Sequence, residues 1–480
     1  MKEERSGAVG AFVFYSLLAL IALAAIPYGT VQPWWRSVFQ CLVFALAGLS
    51  ILAQLFKPET PHYNSLFANQ LLWPLLALLA FAFLQTLPAP RFLLTGTDQR
   101  ATLSADVFQT RQFIIQLLAL MLAGLLLIVH TDSERRLRRV VGLVIGVGVV
   151  SALFGLWRQA SQHATGFVLP QLRPGFGYAQ FVNSNHFAFL MEMSLGLALG
   201  IVVCRGVRGM RLAIYLGAAI PMWLALVLAN SRGGILSILC QVLFLALFFS
   251  VGRDSHQAEG SSGRSAGRLL RASRTVAARA VLCAALLVGA ITTVVLVGGD
   301  PLAGRVDTIG IEFDKNTAET FTLRPNIWRA TWRLIKDHPI AGVGFGGYWI
   351  AITKYHTGSG AATPQEAHND YLELLASGGL IGLAIGIWFA VALIRTAEQK
   401  LGQLRGGVPT DGGNSFARAA TIGALAGILT VAVHSLVDFG LHITINALMF
   451  TVLLAIVGVR SQRSEVGGQR SEIRGQRSEA

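Results

Sequence analysis

The chain has 480 residues, 53% of them hydrophobic and only 13% charged, with a formal net charge of +14 at pH 7. A soluble protein carries about 25% charged residues, so a water-soluble globular enzyme is excluded. The four cysteines, Cys41, Cys204, Cys240 and Cys283, have neither partners nor metal-ligand spacing, which excludes a disulfide scaffold.

Crossing a bilayer takes roughly 20 apolar residues. Runs of about this length lie near 8–26, 37–56, 69–88, 112–129, 140–157, 186–203, 212–229, 234–251, 280–298, 372–394, 419–437 and 442–459. The expected fold is an all-α polytopic membrane protein of about 12 transmembrane helices, with one large external loop that carries an interfacial amphipathic helix. The first run ends in small residues near Ala24 and Ala25, as a signal peptide does. A hydrophobic hairpin follows at once, so an uncleaved anchor is expected.

With the N-terminus in the cytoplasm, 25 of the 39 Lys and Arg fall in cytoplasmic segments. That alternation is what the positive-inside rule requires, and it makes the basic charge a topology signal rather than a nucleic-acid surface. A basic cytoplasmic face also attracts anionic membrane lipid. The expected divisions are helices one to eight in 1–251, a basic linker at 252–279, a ninth helix at 280–298, the external loop at 299–371, three helices in 372–460, and a tail at 461–480. The tail repeats SQRSE and GQRSE without the apolar positions of a coiled coil, and reads as disordered.

Within the large loop, Pro325 suits the first turn of a helix and Pro339 its end. Between them Ile327, Trp328, Thr331, Trp332, Leu334 and Ile335 form one face, and Arg329, Arg333 and Lys336 another. This pattern fits a helix lying in the lipid interface. Arg329 and Arg333 taken singly read as snorkelling anchors, and they are secondary candidates for contact with an anionic substrate. The following GVGFGGY, from Gly342 to Tyr348, looks superficially like a phosphate-binding loop. It follows a helix rather than a strand, and reads as a flexible turn returning the chain to the membrane.

Two places carry candidate chemistry. Arg232, in NSRGG, sits between two apolar runs on the external side, where the positive-inside rule disfavours it. An Arg there is costly unless it faces a polar cavity or a partner, and its planar fork of donors matches phosphate oxygens. His368 lies at the external N-terminus of the apolar run that begins at 372. The positive end of a helix favours anions, and a neutral imidazole there accepts a proton from a hydroxyl. A helix-capping role fits the same position. Asp370 and Glu373 either orient the imidazole or cap the helix. Asn183, Asn185 and His186, and His434, Asp438 and His442, sit at external helix mouths and are candidates to line the same cavity. A His-based metal site is not expected, and no cofactor is assigned.

NSRGG, RPNIWRATWRLIKDHPIAGVGFGGY, AHNDYLELLASGGLIG and HSLVDF, in this order and on one membrane side, resemble the O-antigen ligase and polymerase superfamily of the bacterial inner membrane. The resemblance covers roughly residues 170–460. It implies a glycosyltransferase whose donor is a glycan on undecaprenyl diphosphate and whose acceptor is a glycolipid or glycan hydroxyl, such as that of lipid A core. It implies an inverting transfer at the periplasmic face without nucleotide sugar or metal. It also implies that Arg232 and Arg324 are diphosphate ligands and that His368 is the base. Ser377 departs from the pattern, since many relatives carry an acid there. A polymerase and a protein O-oligosaccharyltransferase remain open. So does a lipid-linked glycan transporter, whose mark would be broken helices in matching repeats. The sequence shows no such pairing.

Overall fold

A computed structural model describes residues 2–55, 69–88, 102–161, 177–257, 324–356, 363–405 and 413–459. Backbone in hydrocarbon must satisfy its own hydrogen bonds, and these segments do so as helices. In chain order they are α1 (Lys2–Ala24), α2 (Pro33–Leu55), α3 (Leu72–Gln85), α4 (Val107–His130), α5 (Glu134–Ser161), α6 (Ser184–Val203), α7 (Met210–Leu228), α8 (Arg232–Gln257), α9 (Arg324–Asp337), the short α10 (Tyr348–Ala351), α11 (Asp370–Arg405), α12 (Gly413–His434) and α13 (Thr444–Gly458). Among the described residues, β-structure is confined to two isolated bridges. Among the described residues, seven helices, α2, α4, α5, α6, α7, α11 and α12, are long and apolar enough to cross a bilayer. Shorter apolar stretches of α1, α3, α8 and α13 accompany them. The architecture is that of an all-α, multi-pass membrane protein. The expected helix at 280–298, most of the 252–279 linker, the start of the large loop and the tail from 460 lie outside the described residues.

The bundle is built around α6, whose residues from His186 to Ala198 are all buried. It crosses α12 where glycines face each other. A Cβ on Gly200 would stand 2.2 Å from Gly423 Cα, and one on Gly196 would stand 2.7 Å from Gly427 N. Small residues of this kind let membrane helices approach backbone to backbone. The close crossing brings the C-terminal end of α12, and the 435–443 turn after it, against the N-terminal half of α6.

Helix α11 is not continuous. Gly379 adopts φ 59° and ψ −159°, which breaks the helix after SGG. The segment 339–347 fills the break. Val343 and Gly344 donate their N–H groups to Ala376 and Ser377 carbonyls at 3.0 and 2.9 Å. Pro339 and Ile340 carbonyls accept from Leu380 and Ile381 at 2.8 and 3.2 Å. Buried Gln85, at the end of α3, donates to the Ala341 and Ser377 carbonyls at 2.8 and 2.9 Å and accepts from Phe345 N–H at 3.2 Å. GVGFGGY is therefore a pinned insert, not the flexible turn expected from its glycines. Val343, Phe345 and Tyr348 are buried.

Helix α9 packs its inner face, Ile327, Ala330, Thr331, Leu334 and Ile335, onto this insert and α11. Thr331 and Tyr348 share a hydrogen bond of 2.7 Å. Arg329, Arg333 and Lys336 are exposed on the opposite face, as the periodicity predicts. Trp332, expected on the buried face, is 48% exposed. A half-covered indole on a helix suits a water–lipid boundary, where its ring and its N–H find different solvents.

Candidate active site

Asp438 organises the polar end of the bundle. Its side chain is fully buried, in the turn between α12 and α13. A buried carboxylate must be paired and hydrogen-bonded, and four groups from four segments do this. Oδ2 accepts from Arg324 at the N-terminus of α9 at 3.2 Å, and from the Asn185 amide on the first turn of α6. Oδ1 accepts from the Phe439 N–H at 3.0 Å and faces His368 Nδ1 at 3.4 Å. Burial alone would push the Asp438 carboxyl up. The His368 hydrogen bond and the Arg324 charge outweigh it and hold the carboxyl at about 2, so Asp438 is an anion at neutral pH.

His368 occupies a left-handed backbone position, φ 51°, immediately before α11. Such a conformation costs a non-glycine residue about 1–3 kcal/mol and persists only where its surroundings fix it. Trp328 Nε1 donates to the Ala367 carbonyl at 3.0 Å, and the Ala367 N–H donates to Glu373 Oε2 at 2.9 Å. Asn369, not His368, caps α11, accepting from the Tyr371 and Leu372 N–H groups at 3.0 Å each. The imidazole is thus released from capping. Its side chain remains 33% exposed, with its ring edge-on to Phe439 at a centroid distance of 4.8 Å. Pairing of Nδ1 with Asp438 leaves Nε2 as the nitrogen that can take a proton from outside.

Asp370 and Glu373 do not orient His368. Asp370 accepts from Ser435 Oγ at 2.6 Å and Glu373 from the Ala367 N–H, and both turn toward His442.

Arg232 opens α8. Ser231, fully buried, caps the helix by accepting from the Gly234 N–H at 3.1 Å. The glycines after Arg232 are required by what lies beneath. A Cβ on Gly233 would meet the His434 ring at 2.4 Å, and one on Gly234 would meet Glu192 Oε1 at 3.2 Å. His434 Nδ1 bonds Glu192 Oε1 at 2.8 Å, and its ring stacks on Phe189 at 4.0 Å. His434 is 1% exposed, so it supports the Arg232 turn from below and does not line a cavity as the sequence suggests.

Of the residues singled out from sequence, Arg324, His368, Asn185 and Asp438 meet directly. Arg232 opens α8, whose next residues Gly233 and Gly234 lie against the His434–Glu192 pair, and Arg329 and Arg333 lie on the exposed face of α9. Sequence reading missed Glu192, although a lone acid in an apolar run is a signal in itself. It also missed Asn369, Gln85 and the centrality of Asp438, which depends on contacts 70 and 114 positions away.

A family model described as O-antigen ligase matches residues 217–387, the stretch that holds Arg232, Arg324 and His368. The chain is also 24% identical over 272 residues to the exopolysaccharide production protein ExoQ of Rhizobium meliloti (strain 1021), a match that covers 54% of each chain. It thus spans about half the length of that relative. Both matches agree with the order of motifs in the sequence and support a place in the O-antigen ligase and polymerase superfamily.

Proposed function

We propose that this protein is an inverting glycosyltransferase at the periplasmic face of the bacterial inner membrane. It moves a glycan from undecaprenyl diphosphate to an acceptor hydroxyl of lipid A core or a related glycolipid. The observation that carries this reading is Asp438, which holds a guanidinium at 3.2 Å and an imidazole at 3.4 Å side by side. One group suits a leaving diphosphate and the other an attacking hydroxyl.

In this reading His368 Nε2 takes the acceptor proton as the acceptor oxygen bonds to the anomeric carbon. The bond from that carbon to the diphosphate oxygen breaks on the opposite face, which inverts the centre. The electron pair leaves on the diphosphate. Arg324, with Arg232, stabilises that charge by donating to its oxygens. Asp438 keeps the imidazole oriented and stabilises it once protonated, the role an acid plays behind a catalytic His. The distance of 3.4 Å is long for a hydrogen bond, and catalytic contacts of this kind tighten in the substrate complex. No nucleotide sugar or metal acts on the reacting atoms.

A second reading, a polymerase whose acceptor is another lipid-linked glycan, is favoured by the relative from Rhizobium meliloti, an exopolysaccharide production protein. Surface glycans of a deletion strain separate the two. Long polymer left on the carrier lipid marks a ligase, and accumulated single repeat units mark a polymerase. The sidedness is tested by cysteines introduced at Ser261 and Gly358, which should label from opposite sides of the membrane. Labelling of both from the periplasm would reject the topology.

A further inference from the structure

Three imidazoles surround one aromatic ring beside the Asp438 cluster, and they are not equivalent. Phe439 follows Asp438 in the turn between α12 and α13, donates its N–H to that carboxylate at 3.0 Å, and is itself half-buried. His368, His186 and His442 stand nearly perpendicular to its ring, at centroid distances of 4.8, 4.9 and 5.8 Å. Two of them have an acid. His368 Nδ1 faces Asp438 at 3.4 Å, and His442 Nδ1 pairs with Glu366 at 3.2 Å. His186 is the most buried of the three, 8% exposed, and its Nε2 is sealed without a hydrogen-bond partner among the described residues.

The backbone around His186 is held closely. Asn183 caps α6 by accepting from the Asn185 N–H at 2.9 Å, the Asn185 amide donates to Asp438, and buried Asn446 donates to the His186 carbonyl at 2.9 Å. The main chain is thus tied to the site, while the ring nitrogen is left unpaired. A buried polar atom without a partner is costly, and an apolar side chain of the same size would carry no such cost. A partner that arrives with the substrate accounts for it. The surroundings narrow the chemistry of that partner. An anion would meet the Asp438 charge. A neutral hydroxyl both donates and accepts, so it suits an imidazole in either tautomer. Phe439 beside it offers an apolar face. A pyranose matches both, with C–H groups on its face and hydroxyls on its rim.

We propose that Phe439 and His186 form the subsite for the first sugar of the donor glycan, with the sugar face stacked on Phe439 and a ring hydroxyl bonded to His186 Nε2. The inference rests on the lipid-linked glycan reading above. The two side chains lie side by side, so a sugar stacked on Phe439 comes within reach of His186. The χ2 torsion of a histidine is broad, and the imidazole turns about it to present Nε2. The role is recognition. Neither residue takes the acceptor proton or holds the diphosphate.

The test compares two lipids on the full chain in detergent: undecaprenyl diphosphate carrying the producing cell's own repeat unit, and undecaprenyl diphosphate without glycan. The parent should bind the first more tightly. His186→Leu and Phe439→Leu should each reduce that preference by about 3–10-fold, the worth of one hydrogen bond or one ring contact, and leave affinity for the bare lipid unchanged. His186→Gln, which keeps a donor and an acceptor, should retain part of the preference. His186→Leu should also melt at or above the parent temperature, because it removes an unpaired polar atom at similar volume. A purely structural imidazole would give the opposite result. Three outcomes overturn the proposal: a parent without preference for the glycan-bearing lipid, a His186→Leu chain that melts below the parent or fails to insert, or one that keeps the parent's preference. Transfer is followed separately. A chain with the expected preferences that transfers no glycan sinks the transferase reading and leaves the subsite, and a chain that transfers glycan with a preference untouched by His186→Leu does the reverse.

Discussion

Two acid–imidazole pairs sit within one end of this bundle, and they differ in everything except chemistry. His368–Asp438 is long, 3.4 Å, and its imidazole is one-third exposed. His434–Glu192 is short, 2.8 Å, with both side chains sealed. The first is shared with an Arg and an Asn that reach in from other helices. The second is wedged between Phe189 and the glycines after Arg232. A buried ionisable pair in a membrane protein is costly, and it is weak evidence for stability. Its value here is positional, since it sets the height and angle at which α8 begins. The residue type does not separate the histidine proposed to react from the one that supports. Access from outside and the company of the Arg324 guanidinium do.

The sharpest break of this comparison is by truncation of each imidazole. His368→Ala should lower glycan transfer by about 10²–10⁴-fold, as for a lost general base, with donor-lipid binding nearly unchanged. His434→Ala should instead lower stability by about 3–5 kcal/mol, because it strands Glu192 unpaired, and should be read as a lower melting temperature in detergent. If His434→Ala melts as the parent does while transfer collapses, the assignment of the two pairs is reversed.

Asp438→Asn keeps the side-chain shape and removes the charge behind His368. Transfer should fall by at least ~10-fold, with a smaller loss in donor binding than Arg324→Ala produces. Full activity of Asp438→Asn would detach the carboxylate from the mechanism. Arg232→Lys should also fail in transfer while folding normally, because Lys retains the charge and loses the fork.

Gly379→Ala should be destabilising without touching either pair. Its positive φ costs an Ala roughly 1–3 kcal/mol, and its Cβ would stand 2.3 Å from the Ile340 carbonyl. A melting temperature equal to that of the parent would mean that α11 can run straight.

The smallest effect is in pH. The Asp438 carboxyl is held at about 2, below the ordinary Asp value of about 3.9. Its pairing therefore stabilises the fold fully above the ordinary value and is lost as pH falls through about 2. The difference in melting temperature between parent and Asp438→Asn should be flat from about pH 5 to 8 and shrink below about pH 4. A change within the upper window would need another titrating group.

The helices were legible because a bilayer demands long apolar runs. The inner face of α9 was legible because its periodicity is strong, with Trp332 the exception. His368 and Arg232 stood out because polar groups at the mouth of an apolar helix are expensive and therefore conspicuous, and Arg324 stood out through the family resemblance. Asp438 was seen only as one acid among several, since its importance lies in three distant segments that converge on its turn. The break in α11 was hidden because Ser377, Gly378 and Gly379 leave the run apolar enough to cross. Nothing local says that the missing hydrogen bonds will be supplied by a loop some 35 residues earlier.

That break bears on how the protein is made. The upper part of α11 cannot adopt its final path alone, since its opened backbone groups would face lipid at a cost of several kcal/mol each. It must wait for the 339–347 insert, and that insert is locked by Gln85 from the third helix. The route implied is insertion of a straight helix at first, followed by a late docking step that bends it. A cell lacking the Gln85 side chain would then accumulate inserted but unlocked chains, visible as protein of full length with heightened protease sensitivity near Gly379.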